Sequence, residues 1–191
     1  MWVIFVTAWL AIILLIERGI SLHVMLREAR ADHLKFKQLH DYQPSAKKGG
    51  SPIARLFRQL NWKEIHHHED LAKQFNSHLA EMVPKLEGTL PTIAVIGTLL
   101  PMLGLLGTVV GMIEVFDVIA LHGTGNPQEM AHGISQALLT TASGLIIAIP
   151  VIFFHHLLVQ RLGLLLGVTE RCIHIIQERD FELNYPHSEG Q

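Results

Sequence analysis

An all-α integral membrane protein with three spanning helices is the fold class this sequence predicts, and three observations predict it. Hydrophobic residues make up 49% of the 191, charged residues only 17%, and the mean hydropathy is +0.32; an ordinary soluble domain carries more charge than this. Three long apolar segments, residues 2–16, 93–116 and 134–159, approach or exceed the roughly 20 residues needed to cross about 30 Å of hydrocarbon. Lysine and arginine are spread unevenly around them: twelve of the fifteen fall in residues 17–88, three follow the last segment, and the connection LHGTGNPQEMAHG has none. Basic residues mark the inside, so the N-terminus lies out and the C-terminus in. The formal net charge of −2 gives no basic excess to attract nucleic acid.

Each element can be justified in order. Residues 1–20 form the first transmembrane helix, a slightly short span completed by snorkelling of Glu17 and Arg18 and by the Gly-Ile-Ser-Leu that follows. It has no basic leader and no small-x-small cleavage site, so it reads as a retained span, with Trp2 and Trp9 suited to an interface. Residues 21–90 form an inside helical region. The first helix runs on to His40, DYQPSAKKGGSP breaks it, and Leu71, Phe75, Leu79, Met82 and Leu86 then mark one apolar helical face, with Pro84 inside it. Residues 91–120 form the second transmembrane helix, 121–132 a short outer loop, and 133–160 the third transmembrane helix. The remainder, 161–191, is a helical inside tail carrying Leu162, Leu166, Ile173 and Ile176, stopped by NYP and ending in disorder. The one cysteine, Cys172, has no partner for an internal disulfide and reads as a structural thiol.

The spans are unusual in what they contain. PMLGLLGTVVGMIEVFD carries a proline, three glycines and a threonine, none favoured in a helix built for stability alone. At 100° per residue, Gly97, Pro101, Gly104, Gly107, Thr108 and Gly111 share an arc of about 120°. In the third span Gly133, Ala137, Thr140, Thr141, Gly144 and Ala148 share another, with Gln136 and Ser143 along its edge, and Pro150 beyond it. Pro101 and Pro150 are expected kink positions. Small residues permit close packing of membrane helices and threonine can bond back to its own helix, which accounts for the glycines. Thr108 and Thr141 ask for more, because they lie at matching depth, about 24 and 25 Å from the inner ends of their helices. They read as a polar ring lining a path. That path has no carrier of its own: the deep membrane stretches lack ionisable residues, and Glu114 and Asp117 sit toward the outer interface. A titrating carboxylate must come from a partner.

GLLGTVVGMIEVF, the GTGNP loop, GISQALLTTASGLIIAIP and IERGISLH, in that order, resemble the MotA/TolQ/ExbB proton-channel family, on its ExbB side. The resemblance covers all three spans and is weaker over residues 30–85. It implies a bacterial, Gram-negative inner-membrane complex in which five copies form a homopentameric ring. It also implies an ExbD-like single-span partner inside the pore that supplies a proton-carrying aspartate, and a TonB-like protein that passes the work to outer-membrane import. The family's pore threonines fall on Thr108 and Thr141. Many relatives have glutamate where this chain has Gln136, which can orient water but not release a proton. A TolQ-like subunit serving envelope integrity shares nearly every feature, and a passive membrane scaffold is the reading from another class. A flagellar stator fits less well, since that type has a fourth span.

Other candidates are weaker. EIHHHEDL, residues 64–71, places adjacent histidines in different directions, whereas helical metal pairs want i, i+4 spacing; a solvated helix is expected, with no metal or other cofactor. His155 and His156 close the third span, and His122 and His132 flank the outer loop. No nucleophile–base set, phosphate loop or redox pair points to an enzyme.

Overall fold

A computed structural model describes residues 2–38, 52–59, 68–123 and 127–184. Every element among them is a helix: α1 (Trp2–Gln38), α2 (Pro52–Gln59), α3 (His68–Glu87), α4 (Leu90–His122) and α5 (Pro127–Asn184). Three are long and apolar enough to cross a membrane, over Trp2–Leu34, Leu90–Leu121 and Pro127–Ile175. Most of the break expected over DYQPSAKKGGSP (41–51), the first half of EIHHHEDL (64–67), the middle of GTGNP (124–126) and the end of NYP (185–186) lie outside the described residues.

Two glycines set the ends of α4. Gly88 has φ +50° and donates its N–H to the Pro84 carbonyl at 3.1 Å, while Gly123 has φ +70° and donates to the Ile119 carbonyl at 2.8 Å. Both φ values lie where a side chain is strained. The connection after α4 is shorter than the loop expected over residues 121–132, because α5 already begins at Pro127. Proline is pre-set for the first helical position, and Glu129 in the first turn complements the positive end of the helix dipole. Pro84, Pro101 and Pro150 all lie inside helices that continue through them.

The chain divides into two compact units, one of Met1–Arg18 with Thr89–Leu158 and one of Gly19–Gly88 with Val159–Gln191. In the first, α4 buries Leu90, Ile93, Gly97, Leu100, Gly104 and Val115, and α5 buries Ala137, Thr140, Gly144, Ala148, Val151 and Leu158. The steps between them are threes and fours or their sums, which keep one stripe of a helix turned inward. The upper part of α1 adds Ile4, Ala8 and Ala11 at the same spacing. The opposite faces leave Leu105, Leu106, Val109, Phe116, Ile146 and Phe153 about half exposed or more. Such a surface is a liability in water and suits lipid or neighbouring helices in a bilayer.

The second unit is a bundle with its own core. It is built from Leu22, Leu26 and Ala29 of α1, Leu56 of α2, Phe75, Met82 and Leu86 of α3, and Leu162, Leu165, Cys172 and Ile173 of α5. The apolar face expected on α3 is thus inward at Phe75, Met82 and Leu86, with Leu79 half-buried. On α5 the inward stripe runs through Leu165, Thr169 and Cys172, and Leu166 is only half-buried. Thr169 is tolerated there because its Oγ1 donates to the Leu165 carbonyl at 2.9 Å. Across the bundle, Arg161 Nη1 donates to His23 Nδ1 at 3.3 Å.

Candidate functional site

The small-residue arcs of α4 and α5 meet each other within the chain. A Cβ placed at Gly104 would lie 3.1 Å from both the Thr140 carbonyl oxygen and Thr141 Cα, and one at Gly144 would lie 2.8 Å from the Leu100 carbonyl oxygen. At Gly111 it would meet Ala137 Cβ at 2.8 Å, at Gly97 it would meet Ile152 Cγ1 at 3.0 Å, at Gly107 it would run into the Thr140 side chain, and at Gly133 into Val115 Cγ2. Glycine here serves close approach: the backbones of an antiparallel helix pair come together along most of a span, as small residues allow. The same register, with Gly111 opposite Ala137 and Gly107 opposite Thr140, carries Thr108 and Thr141 to within about a turn of one level.

The close approach sets the hydroxyl chemistry. Thr141 Oγ1 donates across the seam to the Gly104 carbonyl at 2.9 Å. Buried Thr140 donates to its own helix at Ala137 O, 2.6 Å, and lies 3.3 Å from the same Gly104 carbonyl. Thr108 Oγ1 donates to Leu105 O at 2.7 Å, and Ser143 to Leu139 O at 2.7 Å. These hydroxyl protons are therefore committed to backbone carbonyls, while each oxygen keeps lone pairs to accept from water or a protonated group. Residues 93–113 and 133–154 contain no Asp, Glu, Lys, Arg or His. The seam can position a proton carrier or a water; it has nothing that titrates near neutral pH.

The residues singled out in the sequence differ in how deeply the seam holds them. Thr140 sits inside the α4–α5 seam, Ala148 is buried on the same stripe, and Thr108 and Thr141 are half-buried at its margin. Gln136 is exposed, as are Glu114 and Asp117. Val115, Leu100 and Ile152 complete the seam, and nothing in their residue type announces them; only the register finds them. Arg18 corrects an expectation: instead of snorkelling it is 9% exposed, with Nε and Nη2 buried and without a hydrogen-bond partner among the described residues, whereas Glu17 is exposed. In the second unit, Cys172 is fully buried with Sγ 3.3 Å from His33 Nδ1. Burial first, then the nearby Asp32 charge, push its thiol up to about 11, against an opposing effect of Arg171. Among the described residues no three His, Cys, Asp or Glu side chains are grouped to hold a metal ion.

Fold and seam together define a multi-pass α-helical membrane protein whose spans pair through glycine and threonine and keep ionisable groups out of the deep bilayer. The model of the MotA/TolQ/ExbB proton channel family matches residues 47–170. The chain belongs to that family. It is similar to the biopolymer transport protein exbB1 of Vibrio cholerae, with 30% identity over 166 residues, covering 79% of this chain and 71% of that protein. It is similar to the biopolymer transport protein ExbB of Salmonella typhimurium at 38% identity over 95 residues, 48% of this chain and 39% of that protein. The Tol-Pal system protein TolQ of Pseudomonas aeruginosa is 33% identical over 99 residues, 52% of this chain and 43% of that protein. The match thus spans well under half of the Salmonella and Pseudomonas proteins' own lengths.

Proposed function

We propose that the chain is a proton-channel subunit of the ExbB type, part of an inner-membrane motor that spends the proton motive force to energise TonB-dependent outer-membrane import. One observation carries this reading: the α4–α5 pair gathers threonine hydroxyls at one level on the Gly104 carbonyl while holding no side chain able to carry a proton through the deep membrane. Such a pair forms the wall of a path whose moving carboxylate belongs to another chain. That partner is an ExbD-like single-span protein enclosed by a homopentamer of this chain, with a TonB-like protein receiving the work. Thr108 and Thr141 line the path, with Thr140 and Gln136 beside it. The similarity to exbB1 over most of both chains supports the ExbB side. The TolQ match favours a second reading, a subunit of a Tol-Pal-type system in the same membrane and with the same chemistry.

The double substitution Thr108→Val, Thr141→Val tests the path. Valine keeps the shape and removes the hydroxyls, so the oligomer should persist while gradient-driven uptake is abolished. Unchanged uptake would sink the assignment of these threonines. A mild-detergent pull-down with mass spectrometry separates the two systems by the partners recovered. Recovery without any single-span acidic partner would remove the proton carrier and with it the channel reading.

A further inference from the structure

The second unit contains a cavity that the channel reading leaves unused. It has a volume of about 80 Å³ and lies where α1, α2 and α3 converge. Met25 of α1 and buried Met82 of α3 line it together with Arg55 of α2 and His78, Glu81 and Lys85 of α3. The α3 residues stand at i, i+3, i+4 and i+7, so the helix presents them on one side. Arg55 and Lys85 outnumber Glu81, which leaves one net positive charge on the lining. His78 Nδ1 is buried and has no hydrogen-bond partner among the described residues. A buried ring nitrogen left unpaired costs free energy that a bound acceptor recovers. The volume equals two or three waters at about 30 Å³ each, room for a single tetrahedral oxyanion.

We propose that this cavity binds a phosphate group. The planar fork of Arg55 and the ammonium of Lys85 are both donors suited to phosphate oxygens, and the Nδ1–H tautomer of a neutral His78 supplies a third. The single net positive charge matches the one negative charge of a phosphodiester or of the dihydrogen form of inorganic phosphate, and Glu81 disfavours a more highly charged anion. The methionines offer apolar surface to what the phosphate is attached to. Lys85 lies in the last turn of α3, five residues before the apolar α4 in sequence, so a phospholipid headgroup is one source of the phosphate. The phosphate therefore has two sources, a phospholipid headgroup at the membrane surface or free inorganic phosphate.

Full-length chain in mild detergent is the material for the test. Inorganic phosphate is titrated calorimetrically into delipidated protein, and phospholipid retained per chain is counted by native mass spectrometry after gentle purification. The Arg55→Gln, Lys85→Gln double variant should lose about tenfold or more in phosphate affinity, or should lose its retained lipid, since each lost contact is charge-assisted. Saturable phosphate binding without retained lipid assigns the site to free phosphate; one lipid per wild-type chain, absent from the double variant, assigns it to a headgroup. Glu81→Gln removes the opposing charge and should strengthen binding, a change opposite in sign to structural damage. A double variant indistinguishable from wild type in both measurements overturns the site. Should the double variant fail to fold, weaker or unchanged binding in Glu81→Gln overturns it instead.

Discussion

Adding one carbon at Gly144 should measure how tightly α4 and α5 are joined. A Cβ there lies 2.8 Å from the Leu100 carbonyl oxygen and 3.1 Å from Gly104 Cα, where ordinary contact begins at 3.4 Å. Both neighbours are backbone, so no side-chain rotation relieves the clash and α4 must retreat by roughly the difference between 2.8 and 3.4 Å. Overpacking of this kind costs about 1–3 kcal/mol. The retreat also stretches the 2.9 Å bond from Thr141 to the Gly104 carbonyl, which is worth about 1 kcal/mol. Alanine returns about 1 kcal/mol as the better helix former, leaving a net loss of about 1–3 kcal/mol by these terms. The control is Gly163→Ala on the same helix, where a Cβ meets nothing within 4 Å among the described residues and the propensity gain stands alone at up to about 1 kcal/mol. Thermal or denaturant unfolding in mild detergent, followed by far-ultraviolet circular dichroism, compares the two. If Gly144→Ala is as stable as Gly163→Ala, the seam is not closely packed and the argument from glycine fails.

Three further outcomes are expected. Phe75→Ala empties a fully buried site in the second unit and should cost about 3–5 kcal/mol in the same unfolding assay. Cys172, held protonated up to about 11 from an ordinary value of 9.0, should resist maleimide at pH 8 in folded protein. Its folded form keeps the proton longer than the unfolded chain does, so its contribution to stability is intact below pH 9.0 and is lost as pH rises toward about 11; rapid labelling of folded protein at pH 8 would contradict this. Gln136→Glu places a carboxylate at an exposed position and should leave the pH dependence of gradient-driven activity nearly unchanged, a large shift meaning that this position handles protons.

The seam also bears on motion. A helix pair held by backbone approach and by cross-seam hydroxyl bonds to one carbonyl resists separation, because packed interfaces rearrange between discrete states more readily than they stretch. In the proposed motor this makes α4 and α5 a stiff wall, and leaves the moving parts to the boundary between this chain and its partners. The exposed apolar faces of both helices supply the surface for such contacts.

Much of this was legible before any coordinates. Runs of apolar residues longer than a bilayer is thick leave helix as the spanning solution, since every backbone group must be satisfied internally; the positions of Gly104, Gly107 and Gly111 on one arc, and of Ala137, Thr140 and Gly144 on another, follow from 3.6 residues per turn. Periodicity along one helix carries no information about which face of another it meets. Tertiary structure alone decided that the two arcs close on each other, that Thr141 spends its proton on the Gly104 carbonyl, and that Leu100 and Val115 complete the contact. It also decided that Arg18 turns inward, which neither its charge nor its place near the end of an apolar run disclosed. Local pattern is written into consecutive residues, whereas pairing between segments dozens of residues apart depends on register and depth, and these exist only once the helices have packed.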